Sequence, residues 1–139
     1  MKDSNVRRLS ALHRIVFKLT GGRLASRMVD NDILLLTTVG ETTGREHEIP
    51  LLYLRDDGAF VVIASYGGRA DHPQWYKNLL ARPEARVQIG TETVAVRSRT
   101  ATSEERSRLW PRVVGAYEGY EVYQSRTERE IPIVILEPT

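Results

Sequence analysis

The residues best suited to chemistry lie between positions 64 and 80, where an apolar segment is followed by a glycine pair and a predicted helix. A glycine pair at such a junction lets the backbone turn sharply and lets a ligand approach its N–H groups. Aromatic and amide side chains on the next helix suit a flat ligand with polar edges. The candidate residues are Ala64, Ser65, Tyr66, Gly67, Gly68, Trp75 and Asn78. The stretch therefore predicts a cofactor site.

Several other chemistries have no basis in the sequence. It has no cysteine, which excludes disulfides and thiolate metal sites. Its histidines, His13, His47 and His72, form no metal-binding pattern, so we expect no metal. Nucleophile-elbow, phosphate-loop and dinucleotide-binding motifs are absent, and the basic residues are not interleaved with aromatics as in nucleic-acid platforms. These absences favour a binding domain, or an enzyme whose reactivity resides in an organic cofactor.

The apolar segments predict strands that position these residues. The chain has 139 residues, 41% of them hydrophobic, and we expect one domain spanning residues 1–139. The predicted strands cover residues 33–39, 46–55, 59–65, 87–89, 94–99 and 131–136. Pro50 inside the second strand indicates a sheet edge or a bulge. Six strands with few helices between them predict a small, mostly antiparallel barrel with flanking helices.

Helix boundaries can also be predicted from local signals. Asp71 is a plausible N-cap for the helix that carries Trp75. Thr102 and Glu105 form a capping-box pattern at the start of a later helix. Because Pro111 removes a backbone donor inside that helix, we expect a kink there or two short helices.

The N-terminal segment is basic. Residues 1–30 contain seven basic and two acidic residues, whereas residues 31–139 contain thirteen basic and sixteen acidic ones. Residues 4–19 have the apolar periodicity of an amphipathic helix. This helix covers one end of the barrel or, through residues 1–20, contacts an anionic membrane surface. With no signal peptide or transmembrane segment in the sequence, we expect a cytoplasmic protein, associated with the inner face of the membrane if that contact exists.

An ordered set of motifs is shared with a known family. The pieces are Leu19-Thr20-Gly21-Gly22-Arg23, Gly40 with Thr43-Gly44, Pro50-Leu51, Ala64-Ser65 with Gly67-Gly68, Pro73-x-Trp75-Tyr76-x-Asn78-Leu79, Ala101-Thr102, Tyr123-Gln124 and Ile131-Pro132-Ile133-Val134. With them, the chain resembles the deazaflavin-dependent nitroreductases, oxidoreductases found mainly in actinobacteria that use coenzyme F-420. The resemblance implies an α+β, mainly β fold: a six-stranded split β-barrel of the FMN-binding type with flanking helices.

The resemblance also implies which residues bind the coenzyme. In the loop over residues 40–47, Thr42, Thr43, Arg45 and His47 face the phosphate and polyglutamate tail, and Ile49 and Pro50 line the pocket floor. Residues 64–68 present backbone N–H groups and a hydroxyl to the deazaflavin edge or phosphate, while Trp75 and Asn78 face the same site. Relatives often carry a basic residue at the positions of Thr42, His47 and Tyr66.

The same resemblance implies that three evenly spaced tyrosines line the substrate side of the deazaflavin: Tyr117, Tyr120 and Tyr123. Tyr120 is the candidate for a hydrogen bond or a proton to the reduced substrate. The implied reaction is hydride transfer from reduced F-420 to a quinone, a nitroaromatic or another electron-poor conjugated molecule. The alternatives are an FMN- or haem-binding protein of the same barrel class and a non-enzymatic coenzyme carrier. We expect a monomer or a homodimer.

Overall fold

The computed structural model describes residues 33–139. The predictions for the N-terminal helix, for His13 and for the membrane contact through residues 1–20 lie outside the described residues. The described elements are β1 (Ile33–Val39), β2 (Glu46–Leu52), β3 (Leu54–Asp56), β4 (Ala59–Ile63), a short 3-10 turn (Tyr66–Gly68), helix α1 (Gln74–Ala81), β5 (Glu84–Ile89), β6 (Glu92–Thr100), helix α2 (Ser103–Ala116), helix α3 (Gly119–Ser125) and β7 (Ile133–Pro138).

The strands form one antiparallel sheet that curls into a half-barrel. Its seven strands lie in the order β2-β1-β5-β6-β7-β4-β3. The two edge strands, β2 and β3, are separated in the sequence only by Tyr53, and β2 also contacts β4. The two edges of the sheet therefore come together near Tyr53. This arrangement confirms the mainly antiparallel α+β architecture.

The predicted strand count of six is wrong, because the predicted strand over residues 46–55 divides at Tyr53. Residues up to Leu52 pair with β1, whereas Leu54–Asp56 pair with β4 at the opposite edge. The chain thus changes partners by crossing from one edge of the curled sheet to the other. Pro50 lies on β2, and the prediction of an edge strand is confirmed.

Apolar side chains cover both faces of the sheet. Along β4, Phe60 and Val62 belong to an inner cluster that also contains residues of α1, whereas Val61 and Ile63 belong to an outer cluster formed with α2. Side chains alternate between the two faces of a strand, so a strand covered on both sides is apolar at every position. This explains the uninterrupted apolar run in β4.

The helix signals had mixed outcomes. The capping box of Thr102 and Glu105 is confirmed. Asp71 as N-cap is wrong: helix α1 begins at Gln74, and the carboxylate of Asp71 accepts from the N–H of His72 and pairs with Lys77. Helix α2 is one continuous helix through Pro111 rather than two short ones. Two apolar residues of α2, Leu109 and Val113, are buried in the outer cluster. Their burial offsets the free-energy cost of the hydrogen bond that is lost at the proline.

Candidate functional site

The turn that follows β4 has the backbone geometry of an anion site. Ser65 is right-handed helical, and the next three residues have positive φ, with values of 48° for Tyr66, 66° for Gly67 and 79° for Gly68. A right-handed residue followed by a left-handed one directs successive N–H groups into one concavity that suits an anion. The N–H groups of Ser65, Tyr66 and Gly67 donate to no acceptor within residues 33–139. The turn therefore offers three donors to a ligand.

The two glycines of this turn have different surroundings. A Cβ on Gly68 would lie 2.5 Å from the carbonyl oxygen of Tyr123, so only glycine lets helix α3 pack against the turn. A Cβ on Gly67 would meet nothing within 4 Å among the described residues. Gly68 therefore brings the tyrosine helix close, while Gly67 keeps the turn open to a ligand.

Arg129 holds the same turn from its other side. Its guanidinium donates to the carbonyl oxygens of Ser65 and Arg69, both at 2.8 Å, and of Ala64 at 3.2 Å. It also lies 3.0 Å from Nδ1 of His72. Burial lowers the pKa of His72, and the charge of Arg129 lowers it further. A neutral His72 can thus accept a hydrogen bond from Arg129.

The loop between β1 and β2 contacts helix α1 through Glu41, whose side chain accepts from Gln74 at the start of the helix. The N–H of Gly40 donates to the carbonyl of Arg45, and Oγ1 of Thr43 accepts from the N–H of Arg45. Nε2 of His47 is 3.4 Å from Oγ1 of Thr43, and both side chains lie over Gly40, where a Cβ would clash with them. Thr42, Thr43, Arg45 and His47 are all exposed. The loop thus presents hydroxyl, imidazole and guanidinium groups at the surface.

Asn78 fixes this loop to helix α1. Its side chain is 1% exposed. Its Nδ2 donates to Oγ1 of Thr38 at 3.0 Å, and its Oδ1 accepts from the N–H of Glu41 at 3.0 Å and from Gln74 at 2.9 Å. All these bonds are internal to the protein. Asn78 therefore orients the loop, and direct contact with a coenzyme stays a prediction.

Three other predicted site residues are Trp75, which is buried, and Ile49 and Pro50, which are partly buried on β2. Trp75 is 6% exposed and belongs to the inner cluster, where its ring meets Tyr76 edge to face. Ile49 packs against the inner cluster, whereas Pro50, the next residue along β2, points to the opposite face of the strand. Trp75 thus supports α1 from the interior, and Ile49 and Pro50 do not line one common surface.

The tyrosines form a compact aromatic cluster. The rings of Tyr117, Tyr120 and Tyr123 contact one another edge to face, with centroids 5.2 to 6.5 Å apart. Tyr117 and Tyr120 also line an apolar cavity of about 50 Å³, together with Leu52, Tyr53, Leu54, Val61, Ile63, Val113 and Ala116. Burial raises the pKa of Tyr120, and the two neighbouring tyrosines raise it further. Tyr120 therefore keeps its proton throughout the physiological pH range.

Arginines lie beside the turn and beside the tyrosine helix. Many arginines of the described chain pair with carboxylates: Arg86 with Glu46, Arg97 with Glu84, Arg99 with Glu105 and Arg108 with Asp56. Within residues 33–139, however, Arg45, Arg69 and Arg126 have no carboxylate partner. Arg69 lies 4.8 Å from the ring centroid of Tyr66, and Arg126 lies 5.8 Å from that of Tyr123. The surface beside the turn is therefore suited to an anionic ligand.

The structure brings residues 64–68 and the tyrosine cluster into contact. The loop over residues 40–47 contacts α1 through Glu41, which bonds with Gln74 and Asn78. Sequence reasoning missed Arg69, His72 and Arg129. Arg69 is only three positions from Tyr66, and its proximity to the glycine pair was a signal that could have found it. Arg129 is sixty residues away in a charged segment, and nothing local marks it. No cluster of metal ligands occurs within the described range.

Comparisons with known proteins identify the family. The family model described as F420H(2)-dependent quinone reductase matches residues 9–138. An F420H(2)-dependent quinone reductase of Mycobacterium tuberculosis is 35% identical over 133 residues, which cover 92% of this chain and 89% of that protein. A second protein of that organism, provisionally given the same enzyme name, is 46% identical over 105 residues, covering 76% of this chain and 88% of its own.

Solved structures agree with this assignment. An F420-H2 dependent reductase (FDR-A) superposes with a TM-score of 0.70 at 37% identity, covering 76% of this chain and 94% of its own. A structure described as a domain-swapped dimer has a TM-score of 0.71 at 33% identity and covers 99% of this chain and 100% of its own. A haem storage protein of Vibrio cholerae, at 14% identity and a TM-score of 0.61, shares the fold alone. The chain belongs to the F420H(2)-dependent quinone reductase family.

Proposed function

We propose that this protein is an oxidoreductase that transfers a hydride from reduced coenzyme F-420 to a quinone. The observation that carries the proposal is the contact between the donor-rich turn at residues 65–67 and the tyrosine helix α3, which requires glycine at position 68. This contact puts a surface suited to an anionic, polar-edged ligand beside a surface suited to an aromatic one. We include other electron-poor acceptors, among them nitroaromatics, in the proposed range of substrates.

The donor set fits the proposed coenzyme. Its phosphate and polyglutamate tail is anionic. It would be held by the N–H groups of Ser65, Tyr66 and Gly67 and by arginines that have no carboxylate partner among residues 33–139. Its ring system is flat and would pack against aromatic surfaces. The coenzyme residues we propose are Thr42, Thr43, Arg45, His47, Ile49, Pro50, Ala64, Ser65, Tyr66, Gly67, Gly68, Trp75 and Asn78. Of these, Trp75 and Asn78 act from the interior, by supporting α1 and the loop.

The chemistry that the bound coenzyme supplies is a hydride. The protein then has to orient the two reactants, exclude water and deliver a proton. Tyr120 and Tyr123 are partly buried against the apolar outer cluster, which would exclude water from that side of the acceptor. We propose Tyr117, Tyr120 and Tyr123 as the residues that contact the acceptor.

Tyr120 is the residue we propose as proton donor. Reduction of a quinone to a hydroquinone consumes one hydride and one proton, and negative charge develops on a quinone oxygen as the hydride arrives. Because burial keeps the Tyr120 phenol protonated, its O–H can donate to that oxygen, and the phenolate then regains its proton from solvent.

Coenzyme binding and turnover test the proposal together. Purified protein is titrated with F-420 while the fluorescence of Trp75 and Trp110 is followed, with FMN as competitor. The reduced coenzyme is then mixed with menadione, with a nitroaromatic and with no acceptor. We expect saturable quenching that FMN does not displace, and coenzyme oxidation that requires the acceptor.

Three outcomes would contradict this assignment in different ways. Tight FMN binding without F-420 binding would indicate a flavin protein, and an absorption band near that of haem in the purified protein would indicate a haem protein. Binding of F-420 without oxidation by any acceptor would indicate a coenzyme carrier.

Assembly and location belong to the same proposal. A relative of known structure is described as a domain-swapped dimer, and a homodimer is the assembly we propose for this chain. Within residues 33–139, no helix is long and apolar enough to cross a membrane. Contact of residues 1–20 with the membrane stays a prediction, which salt-sensitive binding to anionic vesicles and its loss on deletion of residues 1–20 would support.

A further inference from the structure

The turn at residues 65–68 has a backbone conformation that needs external support. A left-handed conformation is unfavourable for a residue with a side chain, and Tyr66 adopts it with a φ of 48°. The turn itself contributes the hydrogen bonds from Gly68 to the carbonyl of Ser65 and from Arg69 to the carbonyl of Tyr66. Something outside the turn must therefore fix its remaining polar groups.

Arg129 supplies that support from sixty residues away. Its guanidinium donates to the carbonyls of Ala64, Ser65 and Arg69, which lie on both sides of the turn. The carbonyl of one residue and the N–H of the next belong to the same trans peptide and point in opposite directions. The carbonyls of Ala64 and Ser65, which bond to Arg129, therefore direct the N–H groups of Ser65 and Tyr66 away from it.

Only an arginine can make this set of contacts. Nε, Nη1 and Nη2 are all used, and each points in a direction fixed by the planar guanidinium. A lysine would retain the charge, but its single ammonium cannot reach carbonyls on both sides of the turn at once.

Arg129 is itself held by the tyrosine helix. Its own carbonyl accepts from Nε2 of Gln124 on α3 at 2.8 Å. Oε1 of Gln124 accepts from the N–H of Ile131 at 2.9 Å, just before β7 begins. The segment between α3 and β7 thus connects the tyrosine cluster to the turn.

We infer that Arg129 is a positioning residue that holds the turn at residues 65–68 in its anion-binding conformation without contacting the coenzyme. The inference rests on the proposed function for the identity of the ligand. It extends that function by assigning a residue from outside the site the task of orienting the N–H donors and of linking them to the substrate helix.

Two substitutions at one position separate positioning from direct charge contact. Arg129→Lys keeps the positive charge but loses the planar guanidinium with its several N–H donors, whereas Arg129→Gln loses both the charge and the guanidinium. If Arg129 positions the turn, both variants weaken F-420 binding by roughly tenfold or more, on the scale of a lost hydrogen bond to a charged group. The dependence of the dissociation constant on salt then stays as in the wild type, because no ion pair with the ligand is lost.

Arg112→Gln is the matched control. Arg112 also donates to a backbone carbonyl, that of Arg55, and pairs with Asp56, but it does not contact the turn. It should leave F-420 binding within about twofold of the wild type, since it removes the same charge at a remote place. The KM for menadione should also be unchanged in the Arg129 variants, as the tyrosines stay in place.

A second readout needs no coenzyme. In the free protein, ¹⁵N relaxation of the Ser65, Tyr66 and Gly67 amides should show more motion than in the wild type in both Arg129 variants. Arg112→Gln should show no such increase. Wild-type protein that fails to bind F-420 would reject the proposed function, and the amide relaxation would still decide the role of Arg129.

Three results would overturn the inference. First, Arg129→Lys could bind F-420 as tightly as the wild type while Arg129→Gln binds it weakly and with a shallower salt dependence. Arg129 would then be a direct charge ligand. Unchanged amide relaxation in both variants would show that the turn holds itself. Failure of both variants to fold would make Arg129 a residue of global stability.

Discussion

Gly68 and Tyr123 are in backbone contact, close enough that a Cβ on Gly68 would stand 2.5 Å from the carbonyl oxygen of Tyr123. This contact joins the two halves of the candidate site, one on the turn after β4 and the other on helix α3. The two positions are 55 residues apart in the numbering, and no regular element spans them. The distance between the turn and helix α3 therefore depends on the absence of a single methyl group at position 68.

Gly68→Ala should separate these two halves. The new Cβ would push α3 away and would also occupy a position with a φ of 79°. We expect the free energy of unfolding to fall by about 3 kcal/mol, combining backbone strain and overpacking. Urea denaturation measures the change, and quinone turnover should fall with it.

Gly67→Ala is the control for this prediction, because it has similar backbone strain and open space around the new methyl group. It should cost only about 1 kcal/mol. Equal destabilisation by the two substitutions would contradict the importance of the contact with Tyr123.

Tyr120→Phe should lower the rate of quinone reduction while leaving F-420 affinity unchanged. The phenol is the proposed proton donor, and the ring that packs with Tyr117 and Tyr123 is retained. A decrease in kcat of roughly a hundredfold is the scale expected for loss of a general acid. Stopped-flow oxidation of the reduced coenzyme measures it.

The same residue predicts the pH dependence of turnover. Because burial raises the pKa of Tyr120, loss of its proton should not lower the rate between about pH 7 and 9. Tyr117→Phe is the control and should retain the proton donor. An unaltered rate in Tyr120→Phe would remove Tyr120 from the mechanism.

Asn78→Ala should release the loop over residues 40–47. The buried hydroxyl of Thr38 and the N–H of Glu41 would both lose their partner. We expect a loss of about 3 kcal/mol in unfolding free energy, since each unsatisfied buried group has a desolvation cost. Urea denaturation and limited proteolysis of the loop measure the two effects.

Gln74→Ala removes a neighbouring contact to the same amide from an exposed position. It should cost less than about 1 kcal/mol. If Asn78→Ala were no more destabilising than Gln74→Ala, the amide would not be what holds the loop.

Stability should decrease as the pH falls because of His72. Its folded-state pKa is lowered, by burial first and then by Arg129, with Lys77 acting in the same direction and Asp71 opposing them. A depressed histidine pKa gives stability that is present above the unfolded-state value of 6.5 and is lost as the pH falls through the folded-state value. Urea denaturation between pH 5 and 8, in about half-unit steps, measures the slope.

His72→Gln should flatten this slope, because the amide oxygen can accept from Arg129 without titrating. His47→Gln, at an exposed position on β2, should leave the slope as in the wild type. Equal slopes in the wild type and in His72→Gln would exclude His72 as the origin of the acid sensitivity.

The sequence predicted much of the fold because several features are local. Alternation and apolar runs located the strands, and the spacing of Thr102 and Glu105 located a capping box that depends on only four residues. Pro50 predicted an edge strand for the same reason, since a missing donor excludes a central position. The glycine pair at positions 67 and 68 indicated a sharp turn, and both glycines have positive φ in it.

The sequence did not predict how the sheet curls or how the site is assembled. The split at Tyr53 depends on which strand each half pairs with, and such pairings form between residues far apart in the chain. Helix α2 continues through Pro111 because its apolar face is buried, a tertiary effect that outweighs the local preference.

By itself, the sequence determined the elements, their order and the motifs that place the chain in its family, because these depend on residue type and short spacing. Only the tertiary structure decided that Gly68 contacts Tyr123 and that Arg129 donates to the carbonyls of the turn after β4. Those contacts join segments about sixty residues apart, so curling of the sheet has to bring the segments together before any side-chain chemistry can act between them.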